Sequence, residues 1–400
     1  MKRRRVKITG IGPVTPAGIG KEEFWRGILE PVSRVEVVTR FPEEAGAFVA
    51  SEVKGFRLED YLPRVSSKRM PRHTQFALVA AILALKDAGL DMESLRGRDP
   101  LVIVGASLMD FGSINKGVDI ILRKGAVSGL PSSVFSASVS SISGTIGEII
   151  GGTTRTLAIQ SACCAGLDAI GHAANMIANG EADVALCGGT ESPLFFHPML
   201  ELKMAGLAPG NPEFPGRQCR PFDLWRTTGV MGEGACVLVL EPEASPRPGY
   251  AFIDGYAFAS DPLESPGAGL FNAISWALAN GGMRNTQIEC ISAWGPGHKI
   301  IDRAEVLALD AVFEGDLKGI PIASIKGAIG NPLGAAGAIQ VGCAALSLQR
   351  SIVPPTVNWE YPDPECRLNL ASRARFLPHR STLVNTHGLS GTNACLVMTR

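Results

Sequence analysis

The chain has 400 residues, 46% of them hydrophobic, with 46 glycines. That is too long for one ordinary core and fits a well-buried α/β protein of two domains or one duplicated fold. Its 38 basic and 38 acidic residues cancel, so nothing global points to nucleic acid or to an anionic membrane. Nine cysteines without C-x-x-C spacing argue for reduced thiols in a cytoplasmic protein.

The basic opening Met1–Arg5 is followed by an apolar run that Gly10, Gly12 and Pro13 soon interrupt. It therefore reads as a first strand, Val6–Gly10, and not as a signal segment. No apolar stretch approaches the ~20 residues that span a bilayer. Further strand patterns follow at Leu101–Gly105, Thr156–Gln160, Val184–Gly188, Ala235–Leu240 and Ala251–Ala257. They resume at Ile288–Ala293, Ile320–Ser324, Thr382–Thr386 and Ala394–Met398. Amphipathic helical stretches lie between them at Gln75–Ala88, Leu167–Asn179, Ile301–Val312 and Gly334–Arg350. This alternation predicts largely parallel, buried sheets. The charged, proline-rich join Glu241–Gly249 divides the chain into residues 1–249 and 250–400, each with its own strand and helix series.

The segment Ser161-Ala162-Cys163-Cys164-Ala165-Gly166 falls where a strand stops and a helix begins. A cysteine there meets free N–H groups and the positive end of the helix dipole, which favour a thiolate and can hold an oxyanion. The turn reads as a nucleophile elbow for acyl chemistry, against the alternative of a buried structural cysteine.

Other landmarks surround it in order. They are Val6–Pro16, Gly180–Glu191, Arg220–Asp223 with Gly232–Ala235, Ser324–Lys326 with Gly334–Gly337, Pro354–Asn358, and Asn385 with Gly391–Asn393. Together with the elbow they resemble β-ketoacyl-acyl-carrier-protein synthase II, a condensing enzyme of the thiolase superfamily, over nearly the whole chain. The resemblance implies a five-layered αβαβα fold of two similar halves and a dimer. It also implies acyl groups delivered on the phosphopantetheine of acyl carrier protein, with no metal or other cofactor. Cys163 takes the place of the acylated cysteine.

The resemblance also exposes departures. Trp294, in Ser292–Pro296, stands where the first catalytic histidine is expected, and Asn331, in Ser324–Pro332, where the second is. Indole and amide N–H groups donate hydrogen bonds but cannot take a proton. Asp302, Glu305 and Lys326 keep the family spacing and are candidates for one buried polar network or for a Glu305–Lys326 ion pair. Leu389 replaces the gate phenylalanine, although its backbone N–H could still serve an oxyanion hole. Arg226-Thr227-Thr228-Gly229 departs from the gating-loop pattern. Leu108, Arg226 and Leu389 are the substrate-binding candidates. His298, one helical turn past Trp294, and His387, two residues before Leu389, are candidates for a displaced imidazole. Lys68, Arg69 and Arg72, where Ser66–Arg72 opens a long amphipathic helix, are the candidate dock for acidic carrier protein.

Two functions follow. In one, Cys163 takes an acyl group from carrier protein and passes it on, within fatty acid or polyketide biosynthesis. In the other, the chain is a catalytically impaired partner, like a chain-length factor, that pairs with an active ketosynthase. Homodimer and heterodimer both remain open.

Overall fold

A computed structural model describes residues 3–400 apart from Pro266 and the side chain of Arg69. The first half contributes β1 (Val6–Thr15), α1 (Arg72–Asp87), β2 (Leu101–Gly105), β3 (Arg155–Ile159), α2 (Ala165–Ala178), β4 (Ala185–Glu191) and β5 (Gly234–Pro242). The second contributes β6 (Ala251–Ser260), α3 (Ala268–Asn280), β7 (Cys290–Ser292), α4 (Lys299–Phe313), β8 (Ile322–Ala323), α5 (Ala336–Arg350), β9 (Ser381–His387) and β10 (Thr392–Thr399).

Strand order in the first half is β3-β2-β4-β5-β1, and in the second β8-β7-β9-β10-β6. Numbered within its own half, each order is 3-2-4-5-1, and in each the fifth strand alone runs antiparallel to its neighbours. The duplication left open by the sequence is thus visible in topology. The two sets join where Val6–Ile8 pairs with Ala251–Ile253.

Helices α2 and α5 pack on each other and on strands of both sets, while α1 covers the first set and α3 the second, with α4 against α3. The result is the expected αβαβα layering. The central position of α5 explains its composition: Ala336 through Leu348 are all buried, so no polar face is needed.

Three expectations need correction. The sheets are mixed and not largely parallel, because the last strand of each half pairs antiparallel on both sides. Strand β1 continues past Gly10 to Thr15, because its glycines lie against α1 and do not end the strand. A Cβ on Gly10 would stand 2.2 Å from the Ala84 carbonyl oxygen, and one on Gly12 1.9 Å from that of Ala80. The helix expected to open at Ser66 is two elements. Ser66 caps a single 3₁₀ turn, Ser67–Arg69, and α1 begins only at Arg72. Pro71 causes the break, since it drives Met70 to an extended conformation at φ −104°, ψ 122°.

The β1–α1 contact yields a stability prediction. Gly12→Ala should lower unfolding free energy by about 3 kcal/mol, since backbone must move to admit the methyl group. A urea midpoint unchanged from wild type would contradict it.

Candidate functional site

The elbow forms where β3 ends. A 3₁₀ turn, Ala162–Cys164, leads directly into α2. Ala162 holds a left-handed conformation, φ 51°, which turns the chain sharply enough to point Cys163 inward. Cys163 is only 7% exposed and shares an apolar cluster with Leu194, Met199, Met231, Trp294 and Leu333, with Leu108 packed at its margin.

The expected thiolate is not favoured here. Burial pushes the Cys163 thiol up to about 11, because desolvation outweighs the helix terminus. Hydrogen bonding from the Leu389 backbone and the charge of Lys326 pull the other way, while Glu191 adds to the rise. The Leu389 side chain is 51% exposed, so its contribution at the sulfur comes from backbone.

Trp294 and Lys326 form the second part of the site. The Lys326 Nζ donates to the Trp294 carbonyl at 2.6 Å and to Gln340 Oε1 at 3.0 Å. It also lies 3.8 Å from the centroid of the Trp294 ring, a cation–π contact. Glu305 accepts from the backbone N–H of Trp294 at 2.7 Å, of Gly295 at 2.8 Å, and from Asn385 Nδ2 at 2.7 Å. Burial pushes Lys326 down to about 7 and raises Glu305, while the opposite charge of each opposes the shift of the other.

The Glu305–Lys326 ion pair expected from spacing does not form as a direct contact. The two are joined through the backbone of Trp294, whose N–H serves one and whose carbonyl serves the other. Asp302 stands apart from this network. It accepts from Phe222, Gly297 and His298 N–H groups and sits 3.6 Å from Arg226 Nε. Burial raises it to about 7.

Asn331 is held between strands, its N–H donating to the Val230 carbonyl at 2.7 Å and its carbonyl accepting from Gly232. Its Oδ1 accepts from Leu333 N–H at 3.2 Å. The end left over is therefore the amide NH₂, a donor.

The remaining candidates separate. His298 caps α4, its Nδ1 accepting from Ile301 N–H at 3.4 Å, which commits that nitrogen to the helix end. His387 is buried and its Nδ1 bonds Asn393 Oδ1, with Asp261 4.0 Å away. Arg226 does not line an acyl passage, because its buried guanidinium sits between Asp363 and Asp302. Arg72 is paired in a fork with the fully buried Glu233 at 2.7–3.0 Å, which ties its guanidinium to the fold while 36% of the side chain stays exposed. Lys68 is exposed. The Arg69 side chain lies outside the described residues.

Two site residues escape a reading by motif. Glu191 is fully buried, is pushed up to about 7 by desolvation, and accepts from Ser107, Leu108 and Gly334 beside Cys163. Gln340 ties Lys326 to the Ser292, Ala293 and Asn385 carbonyls. A lone amide in the otherwise apolar Gly334–Leu346 run is the signal that could have found it.

Comparison with known proteins agrees with this geometry. The family model described as beta-ketoacyl synthase, N-terminal domain, matches residues 3–245, and that described as its C-terminal domain matches residues 250–360. The chain is similar to 3-oxoacyl-[acyl-carrier-protein] synthase 2 of Synechocystis sp., at 31% identity over 99% of this chain and 98% of that protein. It is also similar to a putative polyketide beta-ketoacyl synthase 1 of Streptomyces cyaneus, at 32% identity over 99% and 98%. Among solved structures it resembles the ishigamide ketosynthase/chain length factor, with TM-score 0.92, 29% identity and 99% of each chain covered. A type II polyketide ketosynthase in complex with its acyl carrier protein and bound to a hexaketide gives TM-score 0.88, 28% identity and the same coverage. With this layering, this elbow and these matches, the chain belongs to the beta-ketoacyl synthase family and has its thiolase-like fold.

Proposed function

We propose that this chain accepts an acyl group on Cys163 from the phosphopantetheine of acyl carrier protein but does not by itself carry out decarboxylative condensation. The observation that carries the reading is the elbow itself, where the left-handed Ala162 turns Cys163 into an apolar pocket beside Trp294 and Leu333. In acyl transfer the sulfur attacks the thioester carbonyl and negative charge grows on oxygen. A fixed N–H beside the sulfur and the free amide of Asn331 are donors suited to that charge. Decarboxylation of a malonyl donor needs donors to the enolate in a site where imidazole commonly also manages protons. Trp294 places an indole there, with Lys326 over its face, and neither it nor Asn331 can take a proton. Carrier docking would fall chiefly to the exposed Lys68 and its surroundings, because the Arg72 charge is already paired with Glu233.

A second reading, partnership with an active ketosynthase subunit in fatty acid or polyketide synthesis, is favoured by one surface. The edge strand β3 is exposed at Arg155, Thr156 and Leu157. Beside it the exposed apolar side chains of Val118, Ile121 and Val134 line a cleft of about 610 Å³, and Phe135, next in sequence to Val134, is exposed as well. An open edge with an apolar surround is a surface that a second subunit would cover. The ishigamide ketosynthase/chain length factor supports the comparison. We take residues 1–249 and 250–400 as the two halves of the subunit and cytoplasm as its setting. Nine free thiols, all buried, fit reducing conditions.

Incubation with acyl-acyl carrier protein should add one acyl mass, lost in Cys163→Ala, while carbon dioxide release from malonyl carrier protein stays at the Cys163→Ala background. No adduct, even with a co-expressed partner, would refute acyl transfer, and release at ordinary synthase rates would refute the second half of the claim. With the thiol held at about 11, alkylation of Cys163 by iodoacetamide should keep rising about tenfold per pH unit from about pH 7 to about pH 10. A plateau near about pH 8.5 would show an ordinary thiol. Replacing both Phe135 and Leu157 by Asp should turn the assembled species into monomers, read by light scattering; unchanged mass would place the interface elsewhere.

A further inference from the structure

Asp168 is a buried acid with no part in the chemistry above. It lies in the first turn of α2, is 5% exposed, and among the described residues has no cation within 4 Å of its carboxylate. Its two oxygens are used differently. Oδ1 accepts from the Tyr256 hydroxyl at 2.8 Å, and Oδ2 from the Ser161 hydroxyl in a short bond. Tyr256 comes from β6, in the other half of the fold, and reaches across because Gly171 makes room. A Cβ on Gly171 would stand 2.3 Å from the Tyr256 ring. Burial raises the Asp168 carboxyl, and the two hydroxyl bonds lower it.

Ser161 is the residue that enters the strained turn. The next residue, Ala162, holds φ 51°, a conformation that a non-glycine residue keeps only where its surroundings fix it. The Ser161 carbonyl accepts from Cys164 N–H at 3.2 Å and from Thr392 Oγ1 at 3.4 Å. Thr392 in turn accepts from Gly388 N–H at 2.7 Å, at the base of the loop that carries Leu389. One chain of contacts therefore runs from Tyr256 through Asp168 and Ser161 to both the sulfur-bearing turn and the loop that supplies its N–H donor.

We infer that Asp168, held by Tyr256, is a positioning residue that fixes Ser161 and so aligns Cys163 with the Leu389 N–H for acyl transfer. This role rests on the acyl-transfer reading above. It does not touch the reacting atoms. Its effect is to hold sulfur and oxyanion donor in register, where small misplacement costs rate.

The test compares two reactions of Cys163 in the full chain. Acylation by an acyl N-acetylcysteamine thioester needs the oxyanion donor, whereas alkylation by iodoacetamide develops no oxyanion. Asp168→Asn and Ser161→Ala should each lower the ratio of acylation to alkylation by about tenfold or more. The double variant should be no worse than either single one, because both act on the same contact. Tyr256→Phe, which keeps the ring on Gly171, should give a smaller drop and serves if Asp168→Asn fails to fold. Rates that fall together, an unchanged ratio, or additive losses would overturn the positioning role. No acylation of the wild-type chain would instead overturn the acyl-transfer reading, and this role with it, while alkylation still reports the thiol.

Discussion

The Lys326 ammonium and the Glu305 carboxylate are both fully buried, and between them stands one residue whose backbone satisfies each. Removing two such charges from water costs several kcal/mol per ion, so their hydrogen bonds must be nearly complete. Lys326 finds the Trp294 carbonyl, Gln340 and the indole face; Glu305 finds two backbone N–H groups and Asn385. These bonds gather the loop after β7, helices α4 and α5, the turn after β8 and strand β9 around one point. Leaving either charge without these hydrogen bonds would cost several kcal/mol, and the loop bearing Trp294 is correspondingly fixed.

This arrangement separates scaffold from chemistry at position 294. The hydrogen bonds of the charged network use the N–H and carbonyl of the residue, which any residue but proline would supply, and the indole face adds only a cation–π contact to them. The side chain is free to differ, and here an indole fills the apolar cluster beside Cys163. The same separation holds at Asn331, whose backbone bridges to Val230 and Gly232 while its side-chain oxygen accepts from Leu333 N–H, leaving the NH₂ end as a donor. Family membership therefore coexists with a site of different proton chemistry, because fold and reactivity rest on different atoms of the same residues.

The position of Cys163 follows a similar logic. A helix terminus lowers a thiol's pKa when water or charge can reach it, but this sulfur is packed among Leu194, Met199, Met231 and Leu333. Desolvation then dominates. What remains useful at the elbow is geometric: a strained Ala162 and a sulfur turned inward among apolar side chains.

The strand and helix series, the elbow and the replacement of both expected imidazoles were legible in the sequence, since local periodicity and ordered motifs carry them. Four readings were not. The extension of β1 depended on the close approach of α1, and the fate of Ser66–Arg72 on how strongly Pro71 broke the helix. Arg72 looked available for docking until folding placed the buried Glu233 against it, more than a hundred residues away in the chain. Glu305 and Lys326 had the spacing of an ion pair, but only the packed loop inserts Trp294 between them. The sequence by itself determined the fold and which groups near the elbow can donate or accept a proton, because those are properties of residue type and local order. Tertiary structure alone decided which charges are desolvated, which are paired and which donor meets the sulfur. Those depend on distances and burial among segments that share no sequence neighbourhood.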